Sequence, residues 1–154
     1  MSSATKNINK LEKICLLRVH DLLCGMDVSD VLEISIDTST TKVYGAADWV
    51  KGVANLRGHI VTILDLRRRF SLPEAEDSTT GQIVIFEFRN EKVGFLVDEV
   101  ESVINTTEAC FEEATNNVRG VNKRFFSGIY KEPDCLIAIL DMQGILEDAI
   151  GENR

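Results

Sequence analysis

The sequence lacks any apolar run long enough to cross a bilayer, and its opening segment, Met1 to Lys13, is polar and lysine-bearing without the apolar stretch of a secretory leader. A cytoplasmic protein with no membrane insertion is the expectation. Positive charge is also in short supply: 17 Lys and Arg stand against 25 Asp and Glu, for a formal net charge of -8. Such a surface repels phosphate backbones and anionic lipid, which argues against a nucleic-acid partner. Histidine is limited to His20 and His59, and the cysteines Cys15, Cys24, Cys110 and Cys135 lie far apart with no C-x-x-C pair. That spacing gives no support to a zinc site, and in a reducing compartment the thiols serve as small apolar packing residues rather than as disulfides. Also missing are G-x-S-x-G, G-x-x-x-x-G-K-[ST] and G-x-G-x-x-G. No catalytic residue, metal or cofactor is therefore expected.

What the chain does carry is enough apolar material, 44% of 154 residues, to bury a core as one domain or as two small lobes sharing an interface. The apolar stretches are short, β-branched and bounded by turn residues. Strands are predicted at Ile14 to Val19, Leu23 to Val28, Gly52 to Asn55, His59 to Leu64, Gln82 to Phe88, Lys92 to Val97, Phe126 to Tyr130 and Leu136 to Leu140. Two short helices follow aspartates, at Leu66 to Phe70 and Met142 to Ile150, in an otherwise all-β chain.

An internal repeat organises these elements. Gly52-Val53 and the run from Ile60 to Leu66, which contains Asp65, recur 76 residues later as Gly128-Ile129 and the run from Leu136 to Met142, which contains Asp141. Upstream, Ile14 to Ser35 aligns without a gap on Ile83 to Ile104, matching Gly25 with Gly94, Val28 with Val97, Val31 with Val100 and Ile34 with Val103. Two similar β lobes are implied, with Ser71 to Gly81 as the connection between them.

Asp65 and Asp141 invite comparison with paired catalytic carboxylates. Each, however, occupies the same strand-to-helix junction of its repeat, where a carboxylate accepts backbone N–H groups, and a structural helix cap is the better reading. Arg67, Arg68 and Arg69 form a basic run that reads as a solvated helix face. Trp49 and Phe125, just ahead of Gly52 and Gly128, read as core aromatics.

The segment Trp49 to Arg67, with Gly52-Val53-Ala54-Asn55-Leu56-Arg57-Gly58 and Ile63-Leu64-Asp65-Leu66-Arg67, resembles the signature of CheW-like chemotaxis coupling proteins. Val31-Leu32-Glu33-Ile34, the run Val93 to Val100, and Ser127 to Leu146 extend the likeness over most of the chain. The resemblance implies one domain over residues 14–147, made of two intertwined five-stranded SH3-like β-barrel lobes around a shared apolar seam, with flexible termini at 1–13 and 148–154. It implies a non-catalytic adaptor, peripheral to receptor arrays at the inner face of the membrane. Its partners would be the cytoplasmic tip of methyl-accepting chemotaxis receptors, the regulatory domain of a CheA-type histidine kinase, and other CheW-like proteins. A receptor groove between the lobes is implied at Val31, Ile34, Val100 and Val103 for its apolar wall, with Glu33 and Arg57 as a charge pair beside it. Thr62 departs from the proline usual at its position. Phe111 to Asn117 lacks the proline-containing stretch and basic residue many members have, which bears on kinase and ring contacts. The alternatives are a CheW-like regulator of a specialised array, a CheW-like part of a larger chemotaxis protein and, from another class, a small β-barrel hydrolase or ligand-binding protein, which needs a pocket with convergent polar groups.

Overall fold

Side-chain alternation along the first hairpin fixes how the cores are divided. The computed structural model describes residues 11–77 and 80–147. In chain order the strands are β1 (Lys13–Val19), β2 (Leu22–Asp27), β3 (Val31–Ser35), β4 (Val50–Leu56) and β5 (His59–Asp65), then helix α1 (Leu66–Arg69). There follow β6 (Gln82–Phe88), β7 (Glu91–Val97), β8 (Glu99–Asn105), β9 (Phe111–Glu112), β10 (Phe126–Lys131), β11 (Leu136–Leu140) and helix α2 (Met142–Leu146). On β1, Cys15, Leu17 and Val19 point into one cluster of buried side chains while Ile14 and Leu16 point into another. On β6, Val84, Phe86 and Phe88 share the first cluster while Ile83 and Ile85 enter a third. Strands buried on both faces in this way form a wall between two cores.

The three cores follow the repeat. Ile14, Leu16, Tyr130, Ile137 and Ile139 fill one lobe, and their repeat counterparts Ile83, Ile85, Ala54, Val61 and Ile63 fill the other. The large cluster between them draws on both repeats and takes in Trp49, Leu66, Phe70, Phe125, Phe126, Met142 and Ile145. This is the shared seam the resemblance implies.

The sheets are built crosswise. One has the order β8-β1-β2-β11-β10-β9 and the other β3-β6-β7-β5-β4. Each lobe therefore takes its hairpin from one repeat and all of its remaining strands from the other: β8 pairs with β1, and β3 with β6. Corresponding registers agree. Gly25 lies opposite Leu16 and beside Ile139, as Gly94 lies opposite Ile85 and beside Ile63. Gly52 and Gly128 each follow a register shift, opposite Ile63 and Ile139 respectively. At Gly52 the backbone has φ +152 and the Thr41 carbonyl sits where a Cβ would be, so only glycine fits.

Three strands, β3, β8 and β9, are absent from the expected set. The ladders of β3 and β8 are broken by register shifts at Val31/Glu33 and Cys15/Leu17, which destroys the period of two that marks a strand in sequence. The segment Ser71 to Gly81, expected to join the lobes, instead joins α1 to β6 within one sheet; it separates the repeats in sequence only. The chain changes sheet at Val28–Asp30 and at Asp98. Of the termini, residues 1–10 and 148–154 lie outside the described residues, as does the end of the helix expected over Met142 to Ile150; Leu11 is buried and Lys13 already opens β1.

Candidate functional site

The six residues assigned to a receptor groove separate into two groups, and register shows how. Cross-strand partners in an antiparallel pair point to the same face. Val31 and Ile34 on β3 lie opposite Phe86 and Val84, and Val100 and Val103 on β8 lie opposite Leu17 and Cys15. All four partners point into the shared seam. Val31 and Val100 pack against that seam, whereas Ile34 and Val103 stand 42% and 53% exposed. Equivalent edge strands of the two lobes thus carry the seam's apolar character out to solvent.

Glu33 lies opposite Ile85 and so faces the interior side of its own lobe, away from the seam. Its partner Arg57 is presented by the β4–β5 turn. Arg57 and Gly58 both have positive φ, +53 and +84, as a two-residue hairpin turn requires, and the Asn55 side chain accepts a hydrogen bond from the Gly58 N–H at 3.2 Å. The Asn-Leu-Arg-Gly segment is therefore a device for projecting an arginine. Its guanidinium approaches Glu33 at 3.4 Å, the arginine 80% and the glutamate 34% exposed. Beside them is a hollow of about 210 Å³ with Leu32, Leu56, Val61 and Ile85 as apolar lining and His59 and Lys92 at the edge. The structure brings Glu33 and Arg57 together, but on the opposite face of β3 from Val31 and Ile34.

The two aspartates act on backbone. Asp65 Oδ1 accepts from Arg68 N and Asp141 Oδ1 from Gly144 N, each at 3.3 Å. Their own N–H groups donate to the carbonyls of Trp49 and Phe125 at 2.8 and 2.9 Å, so the repeat extends to individual hydrogen bonds. Trp49 and Phe125 are buried, as core aromatics should be.

The arginine run is not a solvated face. Arg67 binds the Asp98 carboxylate through Nε and Nη2 at 2.8 and 2.5 Å, and Arg69 is buried. Only Arg68 is exposed, reaching Glu74 at 3.0 Å. A four-residue helix lying over the seam has no wholly outward face, so charge alone misleads here. Burial pushes the Asp98 carboxyl up, but the Arg67 guanidinium and the His20 N–H outweigh it and hold the group below the usual carboxylate range. Asp98 and Arg67 both fall in segments that carry the resemblance, but a contact between residues 31 positions apart leaves no local pattern by which to pair them.

Comparison with known proteins agrees with this architecture. The chain matches the family described as CheW-like domain over residues 13–149. It is 32% identical to the chemotaxis protein CheW of Bacillus subtilis, covering 93% of this chain and 92% of that one. The chemotaxis protein CheV3 of Helicobacter pylori is 27% identical, with 96% of this chain matching 52% of that longer protein. Among solved structures, the scaffolding protein TtCheW from Thermoanaerobacter tengcongensis superposes with a TM-score of 0.81 at 32% identity, covering 88% of this chain and 92% of the other. A match along nearly the whole sequence, a relative of the same extent in Bacillus subtilis and a shared two-lobed fold lead to one conclusion: the chain belongs to the CheW-like family of chemotaxis proteins.

Proposed function

We infer that this protein is a non-catalytic adaptor that couples the cytoplasmic tip of methyl-accepting chemotaxis receptors to the regulatory domain of a CheA-type histidine kinase. The observation that carries the receptor half is the apolar strip at the seam's edge, with Val31 and Val100 at its base and Ile34 and Val103 exposed. An amphipathic helix laid along β3 and β8 would bury those two side chains, contributing about 1 kcal/mol each for the half that is now solvated. Glu33 and Arg57 stand on the far side of β3 and set orientation at the rim. The kinase half rests on the family and on two barrel ends of similar build.

An adaptor needs surfaces rather than a pocket. Among the described residues every buried side-chain N or O has a hydrogen-bond partner, and the seam is filled with apolar side chains. That favours an adaptor over a ligand-binding barrel, whose interior would hold convergent polar groups. No described helix is long and apolar enough to cross a membrane.

The test is titration of the purified protein with a receptor-tip fragment and, separately and together, with a kinase regulatory domain. Binding to each alone and to both at once is the expected result. Mutually exclusive binding, or none to the receptor fragment, refutes the coupling role.

A further inference from the structure

We propose that α1 is a cross-lobe bracket, in which Arg67 and Arg69 each tie one lobe to the other and together fix the angle at which β3 and β8 present the inter-lobe face. The bracket is a property of the chain itself; its effect on partners rests on the proposed receptor site.

Arg69 leaves the second lobe and ends in the first. It and Thr38 are the only buried polar or charged side chains among the described residues. Its guanidinium lies 4.0 Å from the centroid of the Trp49 ring and 4.8 Å from that of Phe125, the same position in the two repeats. Nε donates to the Ile145 carbonyl at 2.8 Å and Nη2 to the Glu147 carbonyl at 3.1 Å, which satisfies acceptors left open at the end of α2. The residue after Arg69 adds to the bond, since the Phe70 ring stacks on Phe125 at 5.3 Å and meets Phe126 edge-on at 5.5 Å.

Arg67 makes the second tie. Asp98, which its guanidinium grips, lies where the chain passes from one sheet to the other. The Asp98 N–H donates to the Arg18 carbonyl at 2.9 Å, and its Oδ2 accepts from the His20 N–H at 3.1 Å, both in the first lobe's hairpin. Arg68, between the two, reaches Asp48 and Glu74 on its own lobe instead.

An apolar residue would pack between Trp49 and Phe125 without the desolvation cost of a buried cation, whereas a planar fork aimed at backbone carbonyls fixes direction. The repeat counterpart of Arg69 is Ile145, fully buried in the seam. Symmetry is thus broken at a place where this single side chain serves both lobes.

The test places nitroxide labels on Cys135, exposed in the first lobe, and on Glu91→Cys in the second, in a Cys110→Ser background that leaves only buried Cys15 and Cys24. Pulsed dipolar spectroscopy then reads the distance between lobes, well below each variant's melting point. Arg69→Met should broaden the distribution, Arg69→Lys should broaden it less, and Arg68→Met should match wild type. Receptor-fragment affinity should fall about tenfold in Arg69→Met, as when the competent arrangement holds about a tenth of the population. Kinase-domain affinity, which depends on one barrel end, should hold. A folded Arg69→Met protein with wild-type distances and receptor affinity overturns the bracket, and Arg69→Lys decides the matter should the Met variant not fold. Wild-type protein that binds no receptor fragment sinks the proposed function, and the distances alone then judge the bracket.

Discussion

Reversing the charge of Arg57 separates a structural salt bridge from a recognition element. Arg57 is 80% exposed and meets Glu33 at 3.4 Å through one nitrogen, so the pair contributes about 0–1 kcal/mol to stability. Arg57→Glu sets two carboxylates side by side at a solvated turn and should cost no more than about 1 kcal/mol, or roughly 2–4 °C in melting temperature for a chain of this size. Recognition is different. If Arg57 orients a receptor tip, the variant loses an interfacial donor and adds a repulsion, on the order of 2 kcal/mol, which is about thirtyfold in Kd. The assay is a thermal melt beside titrations with receptor fragment and with kinase regulatory domain. The double variant Glu33→Arg, Arg57→Glu restores the pair with its polarity inverted; it should recover the melting temperature and leave receptor binding weak. Wild-type receptor affinity in folded Arg57→Glu refutes the reasoning. A loss confined to kinase binding refutes it in another way, by moving the pair from the groove rim to the end of the second barrel.

Three further outcomes follow from the same structure. Asp65→Ala and Asp141→Ala each remove one helix cap and should each cost about 1 kcal/mol in chemical denaturation without altering receptor affinity. Gly144→Ala drives a methyl group into the Arg124 carbonyl oxygen, a backbone atom that cannot swing aside; a destabilisation of about 1–3 kcal/mol or failure to fold is expected, read by yield and melting. Because the folded-state pKa of Asp98 is depressed, its stabilisation is present above the unfolded value of about 3.9 and is lost as pH falls through the folded value. The melting-temperature gap between wild type and Asp98→Asn should therefore be widest near neutrality and close in acid.

Much of this fold was legible because the repeat is written in residues with narrow structural tolerance. Glycine at 25 and 94 makes room for isoleucine side chains, glycine at 52 and 128 sits just past equivalent register shifts, and aspartate at 65 and 141 caps a helix; such positions keep their identity relative to the strands around them. Strands with an alternating or wholly buried pattern were found. β3 and β8 were not, because half their side chains face solvent and a bulge resets the alternation partway along each. The pairing of Glu33 with Arg57 came from the resemblance, and the geometry bears out the contact while placing it across β3 from the apolar residues. Arg69 was misread for the opposite reason: its neighbours in sequence are charged, and only the fold supplies Trp49, Phe125 and the carbonyls of α2.

The crosswise pairing of hairpins also bears on how an adaptor of this kind can move. Neither repeat can complete a barrel by itself, since β1 needs β8 and β6 needs β3. Separating the repeats would break both ladders, and parting the lobes would open the apolar seam between them, a cost far beyond what a partner's differential contacts supply. What remains available is a small rotation of one lobe against the other about the two crossings, at Val28–Asp30 and at Asp98. One of those crossings is held by Arg67, and the helix that carries Arg67 also carries Arg69. A receptor and a kinase bound to different faces would therefore communicate through packing at α1, in small rigid shifts, rather than through any hinge in the 71–81 segment.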